Sequence, residues 1–387
     1  MPLDNDNIVI VGAGQSGLAA AHAALEQGLR PLLLEASDRA AGSWPRYYDS
    51  LALFSSARYS SLPGLAFDGD PERYPRRDEV VAYLERYAAT LIERGAELRT
   101  GARVEAVHLA VHPAVHPGGE PGASGFLVRL ADGQELTAPA VIAASGSFGR
   151  PNRPALPGLD TFTGPVLHVA DYRCPASLPG GHVVVVGAGN SAVQVAYELA
   201  TDMATDMATD VATGRRVTLA SREPIHFVAQ RPLGRDLHFW FRVTGFDRLP
   251  LARAEAPPAS PVLDDGRYRQ ALREGRYTRR PMFTRLDGDH AVWPDGGRER
   301  VDAVLLATGY RPNLPYLTDL GALDNGGHPR QRRGLSLTHP GLGYLGLEWQ
   351  RTPSSNTLRG VGADAAHVVG MLARHLRGAP QRAGERS

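Results

Sequence analysis

The sequence contains no lysine and a single cysteine. All 42 side chains counted as Lys or Arg are therefore arginines, and 41 acidic residues balance them to a net charge of +1. A chain without lysine can form no lysine Schiff base and has no lysine for a Walker A phosphate loop. With Cys174 alone, it forms neither an internal disulfide nor the Cys-X-X-Cys pair of a dithiol reductase. The small net charge provides no strong field for nucleic acid or an anionic membrane.

Long apolar runs are also missing. Nowhere do about 18 uninterrupted apolar residues occur, which is the length that a transmembrane helix needs. The first residues, MPLDNDN, lack the basic region of a secretory signal. We therefore expect a cytoplasmic protein without a membrane span. A length of 387 residues, 43% of them hydrophobic and 21% charged, is typical of a globular protein with two or more domains.

A short apolar run at residues 7–11 begins the first of two dinucleotide-binding fingerprints. It predicts a buried parallel strand, followed by the motif GAGQSG and by a helix from Leu18 to about Gln27. In this motif the first glycine permits a tight turn, the second lets the backbone approach a pyrophosphate, and the third lets helix and strand pack closely. The residues predicted to bind the cofactor in this turn are Gly12, Gly14, Gln15, Ser16 and Gly17.

A carboxylate completes this first unit. Glu35 follows a second predicted strand, residues 31–34, about 20 residues beyond the glycines. There it would accept hydrogen bonds from the ribose of an adenosine without a 2′-phosphate. A GxGxxG motif alone is weak evidence, because an incidental glycine-rich turn has the same letters. Here the strand, glycines, helix and terminal carboxylate agree, so we predict a dinucleotide site.

The same pattern returns after an apolar strand at residues 183–186. The motif GAGNSA and a helix through about Ala200 follow it. Alanine is accepted in place of the third glycine, since that position only limits the distance between helix and strand. The predicted nucleotide-binding residues of this turn are Gly187, Gly189, Asn190 and Ser191.

The strand that follows the second fingerprint, residues 217–220, ends in Ser221 and Arg222 instead of a carboxylate. A hydroxyl and a guanidinium group suit a 2′-phosphate, which favours NADPH over NADH. The alternative is that Arg222 is a solvated surface residue, because Glu223 is adjacent and the repeat ATDMATDMATDV at 200–211 blurs the register. NADH therefore stays open as a second nucleotide. We predict that the repeat, residues 112–125 and residues 254–261 are insertions away from the chemistry.

Two nucleotide sites in one chain imply hydride transfer from a nicotinamide to a second bound redox cofactor, because a dehydrogenase with one cofactor needs only one such site. A flavin dinucleotide is the cofactor that fits the first site. We therefore predict FAD at the first fingerprint and NADPH at the second.

The sequence also resembles the flavin-containing monooxygenases, a family of class B flavoprotein monooxygenases, and in particular its short bacterial and plant-type members. The most specific element is FTGPVLHVADY, which fits the family pattern FxGxxxHxxx(Y/F) at Phe162, Gly164, His168 and Tyr172. Other matching pieces are GSW at 42–44, ASG at 144–146 and ATGY at 307–310. The resemblance covers most of the chain.

This resemblance implies an α/β fold with two Rossmann-like dinucleotide-binding domains. The FAD domain would be discontinuous in sequence and comprise residues 1–160 and 301–387, while residues 161–300 would form the NAD(P)H domain. A strand at 301–306 and a closing helix from about Ala363 to Leu376 would return the chain to the first domain.

The resemblance further implies that Trp44, Val104 and Asp364 lie beside the flavin. From the residues alone, Val104 is equally an ordinary member of a strand at 102–107, and Asp364 an ordinary acid in the first turn of a helix. Larger family members place an Asn near the flavin and the nicotinamide amide. The corresponding stretch, residues 51–63, offers Phe54 beside Ser55.

Histidines are the remaining candidates for chemistry. His168 could act as a general base, since histidine titrates near neutral pH, but its place in the family pattern implies a conformational or hydrogen-bonding role at the domain junction. His112 and His116 are four residues apart, yet a proline follows each of them and no third ligand lies near. We predict no metal site.

The activity implied by the resemblance is insertion of one oxygen atom from O2 into a sulfide or amine through a flavin C4a-hydroperoxide. Ketone oxygenation is less expected, because Tyr172 stands where the Baeyer-Villiger enzymes usually have Trp. The alternatives are an NAD(P)H:acceptor reductase or oxidase and a non-catalytic flavoprotein sensor. The expected partners are a small-molecule substrate and O2, without nucleic acid or membrane, and a homodimer is left open.

Overall fold

The computed structural model describes residues 6–111, 123–202, 215–249 and 261–378. The predicted insertions at 112–125, 200–211 and 254–261 lie largely outside these ranges, as do His112 and His116. The helices in the described ranges are α1 (Gln15–Glu26), α2 (Arg77–Glu93), α3 (Asn190–Thr201), α4 (Leu237–Thr244), α5 (Arg267–Arg273) and α6 (Leu358–Leu376). Short 3-10 turns lie at Trp44–Arg46, Ala57–Tyr59, Pro175–Ser177, Pro232–Gly234, Phe246–Arg248 and Pro315–Leu317.

The strands of the first half are β1 (Asn7–Val11), β2 (Arg30–Leu34), β3 (Glu97–Arg99), β4 (Val104–Val111), β5 (Ala123–Leu130), β6 (Glu135–Ala138), β7 (Ala140–Ala143), β8 (Val166–His168) and β9 (His182–Val186). Those of the second half are β10 (Arg216–Ser221), β11 (Phe227–Ala229), β12 (Val262–Asp264), β13 (Thr278–Pro281), β14 (Arg285–Asp287), β15 (His290–Val292), β16 (Arg298–Arg300), β17 (Ala303–Leu306), β18 (Gln331–Arg332), β19 (Leu335–Ser336) and β20 (Leu342–Tyr344).

The first sheet has the order β18-β19-β20-β7-β1-β2-β3 and is parallel from β20 to β3. Strand β1, the middle one of the five parallel strands, is buried on both faces, as the apolar run predicts. Ile8 and Ile10 pack against α1, α2 and α6, whereas Val9 and Val11 pack against the antiparallel sheet β4-β5-β6. The first sheet and the elements that pack on its two faces are called the first unit. The closing helix α6 belongs to this unit, but it begins at Leu358, earlier than the predicted Ala363.

The second sheet has the order β13-β10-β9-β17-β8, and all its pairs are parallel. Val183 and Val185 face α3 and α5, while Val184 and Val186 face the antiparallel sheet β14-β15-β16. This second sheet and the elements that pack on it are called the second unit, which repeats the architecture of the first. The strand β17, expected at 301–306, pairs with β8 and β9 and so belongs to the second sheet. An apolar strand carries no mark of the sheet it joins, so this pairing could not be predicted from the sequence.

Within the described residues, no helix is long and apolar enough to cross a membrane. In the same residues no three His, Cys, Asp or Glu side chains cluster as a metal site requires.

His182, the first residue of β9, connects three parts of the second unit. Its Nδ1 donates to the carbonyl oxygen of Arg300 (2.8 Å), which leaves Nε2 to accept from the hydroxyl of Thr218 (2.9 Å). The ring is buried, and burial lowers its pKa below the ordinary value of 6.5. The neutral form is therefore the one that the folded state favours.

We predict that His182 makes the protein less stable in mild acid. Because its pKa is lower in the folded state, its contribution is complete above pH 6.5 and is lost as the pH falls through the folded-state pKa. The free energy of unfolding of His182→Asn should consequently decline less between pH 7 and pH 5 than that of the wild type, as measured by urea titration at each pH. The exposed His226, replaced by Gln, is the control and should leave the pH dependence unchanged. Parallel curves for the wild type and His182→Asn would contradict the assignment.

Candidate functional site

The turn between β1 and α1 is built by direct backbone contact. Gly12 has φ +105°, and its N–H donates to the carbonyl oxygen of Leu34 at 2.8 Å. A Cβ on Gly12 would lie 2.7 Å from the carbonyl oxygen of Ala144, and one on Gly17 would lie 1.8 Å from that of Gly12. Only glycine fits at either position. The turn is therefore pressed against the end of β7, at the carboxyl edge of the sheet.

The beginning of α1 is suited to an anion. Gly14 is the N-cap residue, no side chain of the described residues caps the helix, and no acid lies in the first turn. A Cβ on Gly14 would approach only the backbone of Gly42, at 3.5 Å from Cα. The free N–H groups and the positive end of the helix dipole meet the requirements of a pyrophosphate. Of the adjacent side chains, Gln15 donates to the carbonyl oxygen of Asn356 (2.9 Å), and Ser16 is buried.

Glu35 lies beside this turn at the end of β2. It is buried, with Oε2 accepting from the N–H of Ala13 (2.7 Å) and Oε1 accepting from the N–H and hydroxyl of Ser37 (2.9 and 2.8 Å). A carboxylate has about four acceptor positions, so one remains for a ligand hydroxyl. The carboxylate thus holds the glycine turn directly.

The GSW motif packs on the same turn. Gly42 has φ +57°, and a Cβ there would lie 2.8 Å from the Cα of Gly14. Trp44 begins a 3-10 turn and is half-buried, with its ring centroid 5.4 Å from that of Tyr47. Val104, at the start of β4, is half-buried against the cluster that contains Val9. Its contacts in the structure are those of a core residue.

Asp364 provides a buried acceptor without a partner. Its Oδ1 accepts from Nη1 of Arg351 (3.0 Å), whereas Oδ2 has no hydrogen bond to the described residues. The side chain is fully buried, and burial raises its pKa, although the nearby hydroxyl of Ser355 and the charge of Arg351 oppose that effect. It lies in the second turn of α6, because the helix begins at Leu358. One turn of this helix touches the loop 51–63, since a Cβ on Gly362 would lie 2.5 Å from Cγ of Pro63.

The second fingerprint has the same construction as the first. Gly187 has φ +151°, and a Cβ there would lie 2.5 Å from the carbonyl oxygen of Ala307. Gly189 is the N-cap of α3, again without a side-chain cap or an acid in the first turn among the described residues. Nothing lies within 4 Å of a Cβ on Gly189. This turn therefore also leaves its N–H groups for an anion.

Two polar residues of this turn make contacts elsewhere. Asn190 accepts from the N–H of Leu263 (3.0 Å) and donates to the carbonyl oxygen of Pro261 (3.4 Å), so its amide holds β12. Ser191 is half-buried next to the hydroxyl of Tyr48, whose pKa is raised by burial. That hydroxyl donates to Oε1 of Gln194 (2.6 Å) and connects the two units.

At the end of β10, Ser221 is buried and Arg222 is exposed. The hydroxyl of Ser221 donates to the carbonyl oxygen of Glu223 (2.7 Å). A second guanidinium group, that of Arg279, reaches Ser221 from β13, which the sequence did not indicate. The predicted 2′-phosphate position therefore has two arginines near it.

The loop 51–63 meets a segment of the second unit, residues 227–248. Nε2 of Gln230 donates to the carbonyl oxygen of Phe54 (3.2 Å), and the N–H of Ser56 donates to Oδ2 of Asp236 (3.2 Å). The ring of Phe54 stacks on His238, with centroids 6.1 Å apart and an interplanar angle of 28°. Ser55 is buried, and its hydroxyl lies 2.8 Å from that of Ser60. The hydroxyl of Ser55 is thus engaged within the loop.

Asp236 and His238 form a buried pair at this contact. Oδ1 of Asp236 lies 2.7 Å from Nδ1 of His238 and also accepts from the N–H of that residue, as the N-cap of α4. Burial opposes ionisation of Asp236, but the hydrogen bonds from His238 outweigh it and lower the pKa of the carboxyl group. An ionised acid is therefore held beside the loop.

A surface pocket of about 470 Å³, open to solvent and lined mostly by exposed or half-buried side chains, lies next to this pair. Its wall combines the rings of Tyr59 and Phe239 with the guanidinium groups of Arg58, Arg235 and Arg242. Ligand pockets range over about 300–1,000 Å³. The size is suited to a small organic molecule.

His168 and its motif link the two units. Nδ1 of His168 accepts from the N–H of Ala170 (3.1 Å), which leaves Nε2 to donate to the carbonyl oxygen of Gly309 (3.1 Å). The ring is fully buried, and burial lowers its pKa. In the same motif, the hydroxyl of Tyr172 donates to Oε2 of Glu198 (2.8 Å). Both ring nitrogens of His168 are occupied by the backbone, which fits positioning better than proton transfer.

Comparison with known proteins gives the family. The model for the pyridine nucleotide-disulphide oxidoreductases matches residues 9–225, more than half of the chain. The chain is 30% identical over 347 residues to indole-3-pyruvate monooxygenase YUCCA1 of Oryza sativa subsp. japonica, covering 81% of this chain and 79% of that protein. The protein belongs to the pyridine nucleotide-disulphide oxidoreductase family as a flavin-containing monooxygenase. The family and the fold class predicted from the sequence are confirmed.

Two further relatives align with nearly the whole length of this chain. An uncharacterized CzcO-like oxidoreductase of Geobacillus kaustophilus is 29% identical over 375 residues, covering 95% of this chain and 99% of the relative. The solved structure of a flavin-containing monooxygenase from Stenotrophomonas maltophilia has a TM-score of 0.77 at 28% identity, covering 96% and 99% of the two chains. Cys174 is the only cysteine in the sequence, so one chain holds no pair of cysteines for disulfide chemistry.

Several residues at the site could not be identified from the sequence. Gly42 was recognised as part of a motif but not as the contact of Gly14. Asp236 preceding an apolar helix is a typical N-cap pattern, yet its contact with the loop 51–63 joins residues 180 apart in sequence. Gln230 and Arg279 carry no local pattern that would have identified them.

We predict that Gly42→Ala lowers the flavin content of the purified flavoprotein. The new Cβ would need a left-handed φ and would press on Gly14, which displaces the fingerprint turn. Gly14→Val should empty the same site by filling the space of the pyrophosphate. Flavin absorbance per mole of protein is the measurement. Gly28→Ala is the control, because it has a similar φ (+71°) with nothing within 4 Å, and should cost about 1–3 kcal/mol of stability while keeping the flavin. Full occupancy in Gly42→Ala and Gly14→Val would contradict the site.

Proposed function

We propose that this protein is an FAD-dependent, NADPH-using monooxygenase that inserts one oxygen atom from O2 into a small nucleophilic substrate, a sulfide or an amine. The observation that carries the proposal is the pair of uncapped glycine turns, each following the middle one of five parallel strands in its own sheet. Each turn provides N–H groups for one pyrophosphate. Two such turns in a monooxygenase-type chain suit a flavin and the nucleotide that reduces it.

The first unit would hold FAD. The uncapped turn and the unpartnered Oδ2 of Asp364 fit a ligand that brings both a pyrophosphate and hydroxyl groups. The proposed contacts are Gly12, Gly14, Gln15, Ser16, Gly17, Glu35, Trp44, Val104 and Asp364. Bound there, the flavin would supply oxygen transfer through its C4a-hydroperoxide.

The second unit would hold NADPH, with contacts at Gly187, Gly189, Asn190, Ser191, Ser221 and Arg222. The exposed guanidinium group of Arg222 supports a 2′-phosphate at the end of β10. We propose the open pocket beside Asp236 as the place where a small substrate enters. We assign His168 a positioning role at the junction, and we propose that the two units are separate nucleotide domains divided after Leu306.

Phe54 and Ser55 would form the wall of the site between the units. The ring of Phe54 excludes water but can neither donate to nor accept from a nicotinamide amide. The nucleotide would then be anchored mainly by its phosphates. An NAD(P)H oxidase or acceptor reductase is the second candidate function, and the phenyl ring in place of an amide is the observation that favours it.

We expect oxygen transfer with substantial release of hydrogen peroxide. NADPH consumed, peroxide formed and sulfoxide formed should be measured in one reaction with a simple aryl methyl sulfide. Phe54→Asn should narrow the gap between NADPH consumed and sulfoxide formed, because the amide can anchor the nicotinamide. Phe54→Leu is the control, since it removes the ring without adding a hydrogen-bonding group. One-to-one coupling in the unmodified protein would show that the interpretation of Phe54 is wrong, and peroxide without any sulfoxide would favour the oxidase.

We also expect a preference for NADPH that depends on Arg222. A charge-assisted contact with a phosphate is worth about 1.5–3 kcal/mol, or roughly a tenfold to hundredfold change in affinity. Arg222→Ala should therefore raise the KM for NADPH by that factor and leave the KM for NADH nearly unchanged. Steady-state kinetics with both nucleotides test this. Equal increases for the two nucleotides would reject the role.

A further inference from the structure

Arg279 is not part of any of the motifs recognised in the sequence. It lies on β13, which pairs in parallel with β10, so that Arg279 is opposite Leu219 and its side chain reaches the last residue of β10. Its Nε donates to the hydroxyl oxygen of Ser221 (3.1 Å), and its Nη2 donates to the carbonyl oxygen of Ser221 (3.2 Å). A guanidinium group is thus fixed at the strand end where the nucleotide ribose is expected.

The charge of Arg279 is not neutralised by a neighbouring acid. Among the residues that the structure describes, no carboxylate forms an ion pair with it. The next residue, Arg280, points the other way and contacts Glu299 (2.7 Å), Asp295 (2.5 Å) and the ring of Trp293. A strand presents consecutive side chains to opposite faces, so these two arginines have different surroundings for a simple geometric reason.

Arg279 retains donors for a ligand. A guanidinium group has five N–H donors, and the contacts with Ser221 use two of them. Arg279 is also half-buried, in contrast to the exposed Arg222, so less side-chain freedom is lost when it binds. The hydroxyl of Ser221 points its proton at the carbonyl oxygen of Glu223. Ser221 therefore fixes the arginine.

We infer that Arg279 is a specificity-determining residue for the 2′-phosphate of the adenosine, held in place by Ser221 and acting together with Arg222. The inference rests on the proposed nucleotide site and adds its second cation. A phosphate monoester between two guanidinium groups, one fixed and one mobile, would receive charge-assisted hydrogen bonds from both. An adenosine without the 2′-phosphate would make none of these contacts.

The role of Arg279 can be tested by measuring nucleotide binding directly, without enzymatic turnover. Titration calorimetry of the flavin-loaded protein with 2′,5′-ADP and with 5′-AMP compares two probes that differ in the 2′-phosphate. Arg279→Gln should weaken 2′,5′-ADP by about tenfold to hundredfold and leave 5′-AMP unchanged. Arg279→Lys should recover part of the loss, because a cation returns without the planar fork.

Two control variants separate this role from a general effect of charge. Arg280→Gln removes a neighbouring cation whose partners are carboxylates, and Arg276→Gln removes an exposed cation paired with Glu274. Both should keep the preference for 2′,5′-ADP. Unchanged binding of 5′-AMP shows that each variant is folded.

Three results would overturn the inference. Equal weakening of both probes in Arg279→Gln would mean that the arginine only supports the end of β10. If Arg279→Gln binds both probes as tightly as the wild type, Arg279 has no role in nucleotide binding. A wild-type protein that binds both probes equally has no 2′-phosphate site, and sulfoxide formation driven by NADH would then retain only the oxygen-transfer part of the proposed function. Failure of the wild type to bind either probe would overturn the nucleotide site itself.

Discussion

Close approach between backbones at two glycine turns is the constraint on which the rest of the structure depends. At Gly12 and Gly187 the chain passes so near to a neighbouring strand end that any side chain would overlap a carbonyl oxygen. The tight turn then starts a helix whose first N–H groups face the edge of the sheet without a side-chain cap. A capped or longer turn would bury those groups or move the helix off the strand. Each unit thus presents free N–H groups that suit an anion because of its connectivity, before any charged side chain is involved.

Contacts between the two units position the loop 51–63, which contains Phe54 and Ser55. The segment 227–248 of the second unit touches the loop 51–63 through Gln230 and Asp236, and it touches α6 through the ion pair of Asp247 with Arg359 (2.8 Å). The ion pair is largely shielded from solvent, so its geometry is better defined than that of a surface pair. The wall around Phe54 therefore depends on both units. A change in their relative position would alter the surroundings of the loop even if each nucleotide turn stayed intact.

The parts of this molecule that follow local rules could be predicted from the sequence. Strand β1 has the predicted bounds, 7–11, and both fingerprint turns lie between strand and helix as expected, because periodicity and glycine spacing are encoded within a few residues. The assignment of β17 to a sheet, the beginning of α6 and the contacts of Asp236 and Arg279 could not be predicted. They depend on pairing between distant segments, which no window of sequence contains. Glu35 illustrates the same limit. Its position at the end of β2 could be predicted from the sequence, but the hydrogen bond that it accepts from the N–H of Ala13 could not.

The unpartnered oxygen of Asp364 has a consequence for the stability of the protein. A buried carboxylate with an unused acceptor is costly to keep ionised, and its raised pKa expresses that cost. Any ligand that donates a hydrogen bond there removes the cost only in the folded state. If the proposed flavin is that ligand, its binding would raise the thermal resistance of the protein through this atom. The empty polypeptide would be the form that cellular proteases remove first, so that the supply of flavin would set how much of the protein persists.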